Sequence, residues 1–206
     1  PETVIYDVDL TLTLPADMTI TSALNAIAHG VEALYAPDAN PVTSLMAVEA
    51  MKAFKAGLPV LRDAPRDPEA RSLVLYGAWL CSTALGYVSM SLHHKLAHTI
   101  GGSFNTPHAE THAILLPHTA SFNAVATDAL KPMEEIFGAT PGAGLWDFAK
   151  AQGAPLRLAD LGLSEADLDK AAEIAVQNSY ANPRPFTQDD IRALLQAAWE
   201  GRRPEH

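Results

Sequence analysis

Hydrophobic spacing typical of α-helices runs through almost the whole chain after Pro15, and this pattern constrains the fold more than any other feature. Apolar residues recur every three to four positions, which places them on one stripe of a helix. The pattern predicts helices over 17–35, 41–55, 69–98, 107 onward with an interruption at Pro117, 144–152, 164–179 and 187–200. We therefore expect an all-α fold built as a helical bundle.

Prolines, glycines and polar residues set the predicted helix ends. Asn40 is a typical N-cap and Pro41 a typical first helical residue. Gly57 and Pro59 are expected to lie beyond the end of that helix. The long apolar helix over 69–98 is expected to end at the pair 101–102, two glycines.

A single strand candidate opens the chain. Val4, Ile5 and Tyr6 are β-formers, and leucines alternate with threonines over 10–14. A lone strand is not stable, so we assign 1–14 to the terminal strand and linker of a sheet outside this chain. Residues 15–206 then form the helical domain. The chain begins at Pro1 rather than Met, which leaves a processed product or a piece of a longer protein open.

Charge and cysteine content exclude several classes of protein. The 206 residues carry 14 Lys and Arg against 24 Asp and Glu, a net charge of −10, which is the wrong sign for a nucleic-acid partner. The one cysteine, Cys81, allows no internal disulfide, and the first residues of this sequence show no basic-then-apolar signal pattern. We expect a cytoplasmic protein.

An uncharged run over 72–92 could span a bilayer, but its serines and glycines favour a buried core helix and no membrane partner.

Histidines are the chemically informative residues, because seven of the eight lie between His29 and His118. Residues four apart share one face of a helix. Three such pairs occur, and packing of their helices would bring them together: Asn25 with His29, His94 with His98, and His108 with His112. A cluster of imidazoles with one amide can serve as a metal site or as an acid–base site.

The remaining histidines have simpler interpretations. His93 lies one residue off the shared face and is expected to be structural or exposed. His118 beside Pro117 is expected at a helix end, and His206 is a tail residue.

The sequence has no dinucleotide fingerprint after a predicted strand, no P-loop and no G-x-S-x-G motif. A redox cofactor would need a site supplied from elsewhere.

Several segments together resemble one family. The segments 94–98 (HKLAH), 101–102 (GG) and 104–108 (FNTPH) are similar to the signature of the iron-containing alcohol dehydrogenase superfamily. Segments 4–11, 24–35, 108–112 and 182–185 (NPRP) are closer to its maleylacetate reductase branch. The resemblance implies a C-terminal helical domain, preceded in the family by an N-terminal α/β domain that binds NADH or NADPH.

The same resemblance bears on whether the site binds a metal ion. In the metal-dependent members the ligands are an Asp and three His, and these fall on Asn25, His29, His94 and His108. Asn25 replaces the Asp, so the site loses its negative charge and becomes a weaker ligand set for a divalent ion. Resemblance to the reductase branch therefore implies catalysis without a metal, with iron or zinc as the alternative.

The reaction implied is the reduction of maleylacetate to 3-oxoadipate in aromatic-compound degradation, by a homodimeric enzyme. We assign catalysis to His94, His98 and His108, with Asn25 and His29 orienting the substrate and His112 as a candidate for a substrate carboxylate. The whole active site would need the N-terminal nucleotide-binding domain as partner, so this chain alone is expected to be inactive. Two alternatives stay open: a metal-dependent alcohol dehydrogenase, and a non-catalytic helical module for assembly or partner binding.

Overall fold

The computed structural model of the chain describes residues 2–177 and 180–206, and it is helical as the hydrophobic spacing predicts. No β-strand occurs among these residues. The α-helices run α1 Ala16–Tyr35, α2 Pro41–Asp63, α3 Pro68–Leu85, α4 Leu92–Phe104, α5 His108–Ala124, α6 Pro132–Phe137, α7 Pro141–Ala151, α8 Asp167–Ala175 and α9 Gln188–Glu200.

The strand predicted at the start of the chain is not formed. Residues 2–7 have no regular structure, and a single 3-10 turn follows over Asp9–Thr11. The β-formers are exposed, with Ile5 and Leu10 at 87% and 80% of their full accessibility. A strand requires a hydrogen-bonded neighbour, and the described residues offer none. The alternating pattern alone therefore does not produce a strand in this chain.

The first two helices largely follow the sequence prediction. Helix α1 covers the predicted 17–35, and Asn40 caps α2 by accepting the amide hydrogens of Val42 and Thr43. The predicted end of α2 is wrong, because the helix continues past Gly57 and Pro59 to Asp63. Gly57 serves packing instead, since a Cβ there would lie 3.0 Å from the Ala70 carbonyl oxygen of α3. The glycine thus brings α2 and α3 together.

The predicted long helix over 69–98 is two helices. Helix α3 ends at Leu85, and α4 begins at Leu92 after an irregular segment. The Asp38 carboxylate accepts the Ser89 amide hydrogen at 2.9 Å and the Ser89 hydroxyl at 2.7 Å, and this contact anchors the segment. An acidic group distant in sequence therefore bonds backbone that a continuous helix would use internally.

Two other predicted interruptions are also absent. Gly101 and Gly102 lie inside α4, which ends at Phe104 with Asn105 in the left-handed conformation (φ 54°). Pro117 lies inside α5, where every residue from 111 to 120 is buried. Packing on all sides of α5 outweighs the loss of one backbone hydrogen bond at the proline.

The later helices differ from prediction mainly at their ends. Helix α7 begins three residues before the predicted 144, and the short α6 was not predicted. Helix α8 begins at Asp167, whose carboxylate accepts the Ser164 hydroxyl, and it ends at Ala175 rather than 179. Residue 179 itself lies outside the described residues. Helix α9 follows the predicted 187–200, with a capping box between Thr187 and Asp190.

Two hydrophobic cores meet along α5. The larger one joins α1, α2 and α3 to α5 through residues such as Ala113 and Leu116. The smaller one joins α4, α8 and α9 to α5 through Ile114 and Leu115. Buried polar side chains are concentrated at the seam where α1, α4 and α5 meet. None of the described helices is long and apolar enough to cross a membrane.

The cap of α2 gives a direct test of the fold. We expect Asn40→Ala to lower the free energy of unfolding by about 1 kcal/mol, because Val42 and Thr43 lose the acceptor of their amide hydrogens. Chemical denaturation measures the change. Glu49→Ala, on the exposed face of the same helix, is the control. An Asn40→Ala protein as stable as the control would contradict the capping role.

Candidate active site

Helices α1, α4 and α5 bring six imidazoles into one cluster. His29 of α1 stacks on His94 of α4 with ring centroids 4.7 Å apart. His94 lies 5.1 Å from His112 of α5, and His112 lies 4.5 Å from His108. His98 is 6.2 Å from both His108 and His112. The predicted convergence of the three helical pairs is therefore present for every histidine in them, and it includes His93 as well.

The histidines of the cluster differ in how far they are exposed to solvent. His93, His94 and His112 are buried, His29 is partly buried, and His98 and His108 are exposed. Asn25 lies one helical turn before His29 and is also partly buried. The inner rings are consequently held by the protein, whereas the outer rings can meet a ligand that arrives from solvent.

A buried carboxylate lies beneath the cluster, and the sequence reasoning missed it. Glu32 of α1 has no exposed surface, and its Oε2 accepts the His94 Nδ1 hydrogen at 2.7 Å. Glu32 also accepts the amide hydrogens of Ser91 at 2.9 Å and His93 at 2.7 Å, and the Tyr35 hydroxyl at 3.2 Å. The available signal was its position three residues after His29, on the apolar stripe of α1.

The break between α3 and α4 is what makes this arrangement possible. The first amide hydrogens of a helix have no partner inside the helix. Those of Ser91 and His93 are directed at Glu32, so a distant carboxylate takes the place of a local cap. The Ser91 hydroxyl is free for another task and bonds Asn182 Oδ1 at 2.9 Å.

The segment 182–185, one of the family-like motifs, supports α4 from its other side. Asn182 exchanges two side-chain hydrogen bonds with Asn123 of α5, at 2.7 and 3.0 Å. The Arg184 guanidinium lies 4.0 Å above the Phe122 ring. This motif therefore fixes the start of α4 against α5.

A second hydrogen-bond chain fixes the orientation of His112. The hydrogen of the Thr119 hydroxyl has the carbonyl oxygens of Leu115 and Leu116 as acceptors in its own helix, so we assign His93 Nδ1–H as the donor to Thr119 Oγ1 at 2.9 Å. His93 Nε2 is then an acceptor, and it receives the His112 Nδ1 hydrogen at 2.9 Å. His93 is thus structural, as predicted, and it leaves His112 Nε2 with a lone pair.

Three polar atoms of the site have no hydrogen-bond partner among the described residues. These are His94 Nε2, His112 Nε2 and Asn25 Oδ1, and all three are shielded from solvent. Glu32 engages the other nitrogen of His94, and His93 engages the other nitrogen of His112. Buried polar atoms normally find partners, so unpaired ones at a cluster of this kind indicate a ligand site.

Burial keeps several of the imidazoles neutral. It lowers the pKa of His112 to about 2 and that of His29 to about 4, with neighbouring histidines adding to the effect. The pKa of His93 is also well below its ordinary value, for the same reasons in the same order. The exposed His98 has a lowered pKa from partial burial and then from His94 and His108.

The donor set does not fit a metal ion well. Asn25, His29, His94 and His108 together carry no negative charge, and the acid nearest to them, Glu32, is occupied by four hydrogen bonds. In the described part of the chain no three His, Cys, Asp or Glu side chains are arranged to hold a metal.

Two buried side chains lie outside the cluster. His118 is not at a helix end but inside α5, buried, with a pKa lowered to about 4 by burial and then by Arg202. The prediction followed Pro117, which does not interrupt the helix. Cys81 is buried and free, and burial raises the pKa of its thiol to about 12, in keeping with an unreactive role.

Comparison with known proteins shows which family the chain belongs to. Residues 19–199 match the model of the Fe-containing alcohol dehydrogenase family, C-terminal. The chain belongs to the Fe-containing alcohol dehydrogenase family. It is 55% identical to the maleylacetate reductase of Rhizobium sp. (strain MTP-10005), over 100% of this chain and 59% of that protein. It is 51% identical to the maleylacetate reductase of Burkholderia cepacia, over 99% of this chain and 58% of that protein.

Solved structures agree with this assignment. The crystal structure of maleylacetate reductase from Agrobacterium tumefaciens superposes with a TM-score of 0.98 at 56% identity, over 99% of this chain and 59% of that one. The resemblance to the maleylacetate reductase branch is thereby confirmed, as is the helical C-terminal domain of the family. The chain spans less than two thirds of the length of these relatives.

The hydrogen bonds that link Thr119 through His93 to His112 can be tested by removing the Thr119 hydroxyl, the last acceptor in the series. Thr119→Val keeps the shape of the side chain but leaves the buried Nδ1–H of His93 without a partner. We expect the free energy of unfolding to fall by about 1–3 kcal/mol, as for other buried donors left unpaired. Thr119→Ser, which retains the hydroxyl, is the control in the same denaturation measurement. Equal stability of the valine and serine proteins would show that the hydroxyl does not hold His93.

Acid sensitivity is a second expectation, from His118. Its pKa is near 4 in the folded protein and near 6.5 in the unfolded chain, so the unfolded chain takes up a proton first as pH falls. Stability is therefore complete above about pH 6.5 and decreases toward pH 4, by about 3 kcal/mol for this group. We expect His118→Gln to flatten this pH dependence in denaturation experiments. An unchanged slope would exclude His118 as a major source of acid sensitivity.

Proposed function

We propose that the full-length protein reduces maleylacetate to 3-oxoadipate, with this chain providing the helical side of the active site. The observation that carries the proposal is the imidazole cluster with unpaired Nε2 atoms on His94 and His112, in a chain that resembles maleylacetate reductases over its whole length. A further proposal is that the reaction belongs to aromatic-compound degradation in the cytoplasm.

The chemistry requires a hydride, an oxyanion partner and a proton. NADH or NADPH supplies the hydride when bound, and we assign that binding mainly to an N-terminal nucleotide-binding domain. Addition at the alkene carbon beta to the ketone moves an electron pair onto the ketone oxygen as an enolate. Protonation of the carbon next to the ketone then gives the saturated 3-oxoadipate. Imidazole N–H groups can stabilise the enolate and deliver the proton.

The geometry supports different tasks for the inner and outer histidines. His94 is buried, and its Nε2 has no partner among the described residues, so this atom is available to the substrate. His98 and His108 are exposed on the same cluster, where they can contact the substrate directly. We therefore keep these three as the proposed catalytic residues.

Asn25, His29 and His112 remain the proposed substrate-binding residues, with one refinement for His112. Its Nε2 carries a lone pair, because the Nδ1 hydrogen is given to His93, and its pKa of about 2 keeps it neutral. A neutral acceptor of this kind favours a hydrogen-bond donor, such as an enol hydroxyl. A substrate carboxylate is an acceptor and suits the outer histidines better.

The outer histidines test the proposal. In the full-length protein we expect His98→Ala and His108→Ala each to lower kcat by about 100-fold or more, because each removes a proton-transferring or donor group. Maleylacetate-dependent oxidation of NADH or NADPH measures the rate. His206→Ala, in the C-terminal tail, is the control and should retain wild-type kcat.

Other outcomes of the same experiment would point to the alternatives. Near-wild-type kcat in both variants would reject the catalytic assignment of His98 and His108. Stoichiometric iron or zinc in active protein, with activity lost on chelation, would favour the metal-dependent alcohol dehydrogenase. A full-length protein that folds but oxidises neither NADH nor NADPH with maleylacetate would favour a non-catalytic helical module.

A further inference from the structure

The buried carboxylate of Glu32 has no role in the reaction as described above, although it is the acid in contact with the histidine cluster. We propose that Glu32 is a positioning residue: it holds the hydrogen of His94 on Nδ1 and thereby turns Nε2 toward the substrate. This inference rests on the proposed reduction for its kinetic consequence. The hydrogen bond itself is a property of the structure.

The carboxylate is held in one orientation by its four donors. Oε2 accepts from His94 Nδ1 and from the Ser91 amide, and Oε1 accepts from the His93 amide and from the Tyr35 hydroxyl. An ionised carboxyl group offers about four acceptor positions, and here each is used. Two of the donors belong to the backbone at the start of α4, so the carboxylate is fixed to the helix that carries His94.

The consequence for His94 is a defined tautomer. When a carboxylate accepts from Nδ1, the neutral ring carries its hydrogen there, and Nε2 presents a lone pair or the second hydrogen of the protonated ring. His94 Nε2 has no hydrogen-bond partner among residues 2–177 and 180–206. The stacked His29 ring, 4.7 Å away, leaves it little freedom to turn over. Glu32 and His29 therefore define both the tautomer and the plane of the ring.

The structure also shows why Gln cannot replace Glu32 without consequence. Glutamine has nearly the same shape but presents an oxygen on one side and an NH2 group on the other. Whichever way it is oriented, the NH2 group faces a backbone amide hydrogen, of either Ser91 or His93. With the NH2 group toward Ser91, the acceptor for His94 Nδ1 is lost. With the NH2 group toward His93, two donors face each other, and a shift of the Gln side chain away from His93 weakens the bond to His94 Nδ1.

The test uses the full-length protein in four forms: wild type, Glu32→Gln, Tyr35→Phe and Glu49→Gln. Tyr35→Phe removes one donor to the carboxylate but leaves the His94 bond in place. Glu49→Gln makes the same chemical change on the exposed face of α2. The measurements are kcat and KM with maleylacetate, the Tm of each protein, and the side-chain 15N shifts of His94, which report the tautomer.

We expect Glu32→Gln to lower kcat by about 10- to 100-fold, as for other partners that orient a working histidine, with a much smaller change in KM. The 15N shifts of His94 should move from the form with Nδ1–H toward a mixture of tautomers. Tyr35→Phe should keep the wild-type tautomer and a kcat within about two-fold, even if its Tm falls. Glu49→Gln should match wild type in every measurement.

The proposal is overturned if Glu32→Gln folds with an unchanged His94 tautomer, or if its kcat falls no further than that of a Tyr35→Phe protein of equal Tm. Should Glu32→Gln not fold, Glu32→Asp replaces it with the same criteria, since its carboxylate lies one methylene short of His94. A wild-type protein inactive with maleylacetate would refute the proposed function, and the 15N shifts would still decide whether Glu32 sets the tautomer.

Discussion

The contact between Glu32 and the start of α4 is the interaction on which the site depends. A charge buried in a protein interior is costly unless it is paired and fully hydrogen-bonded. Here the cost is offset by two backbone amide hydrogens, a hydroxyl and the His94 ring. The same four bonds fix where α4 begins, how it meets α1 and which nitrogen of His94 faces the cluster.

The break between α3 and α4 shows what the sequence can and cannot predict. Helical spacing continues from 69 to 98, and propensity alone gives one long helix. Two acids from elsewhere, Asp38 and Glu32, bond the amide hydrogens of Ser89, Ser91 and His93 instead. A contact between residues some 50 to 60 positions apart leaves no local pattern, so the start of α4 could not be predicted. Gly86, directly after α3, was the local signal for the end of that helix. The start of α2 at Asn40 could be, because its capping bonds join residues two and three apart.

The site follows the same division. Spacing of four residues predicted the pairs on α1, α4 and α5 correctly, since that rule depends only on helix geometry. It could not rank the histidines by depth, because depth depends on how three helices pack. It also missed Glu32, which lies three residues after His29 rather than four. Pro117 and the glycine pair 101–102 gave wrong helix ends for the same reason. Helix α5 continues through Pro117 and α4 through the glycines, because packing there outweighs local preference. The proline then led to the wrong place for His118.

The two hydrogen-bond chains give chemically unlike neighbours from identical side chains. His94 and His112 have ring centroids 5.1 Å apart, and each presents an unpaired Nε2. The hydrogen-bond chain of His94 leads to the Glu32 carboxylate, whereas that of His112 leads through the neutral His93 ring to the Thr119 hydroxyl. Glu32 and Thr119 thus hold two neighbouring rings in defined orientations through different partners, without any change in residue type.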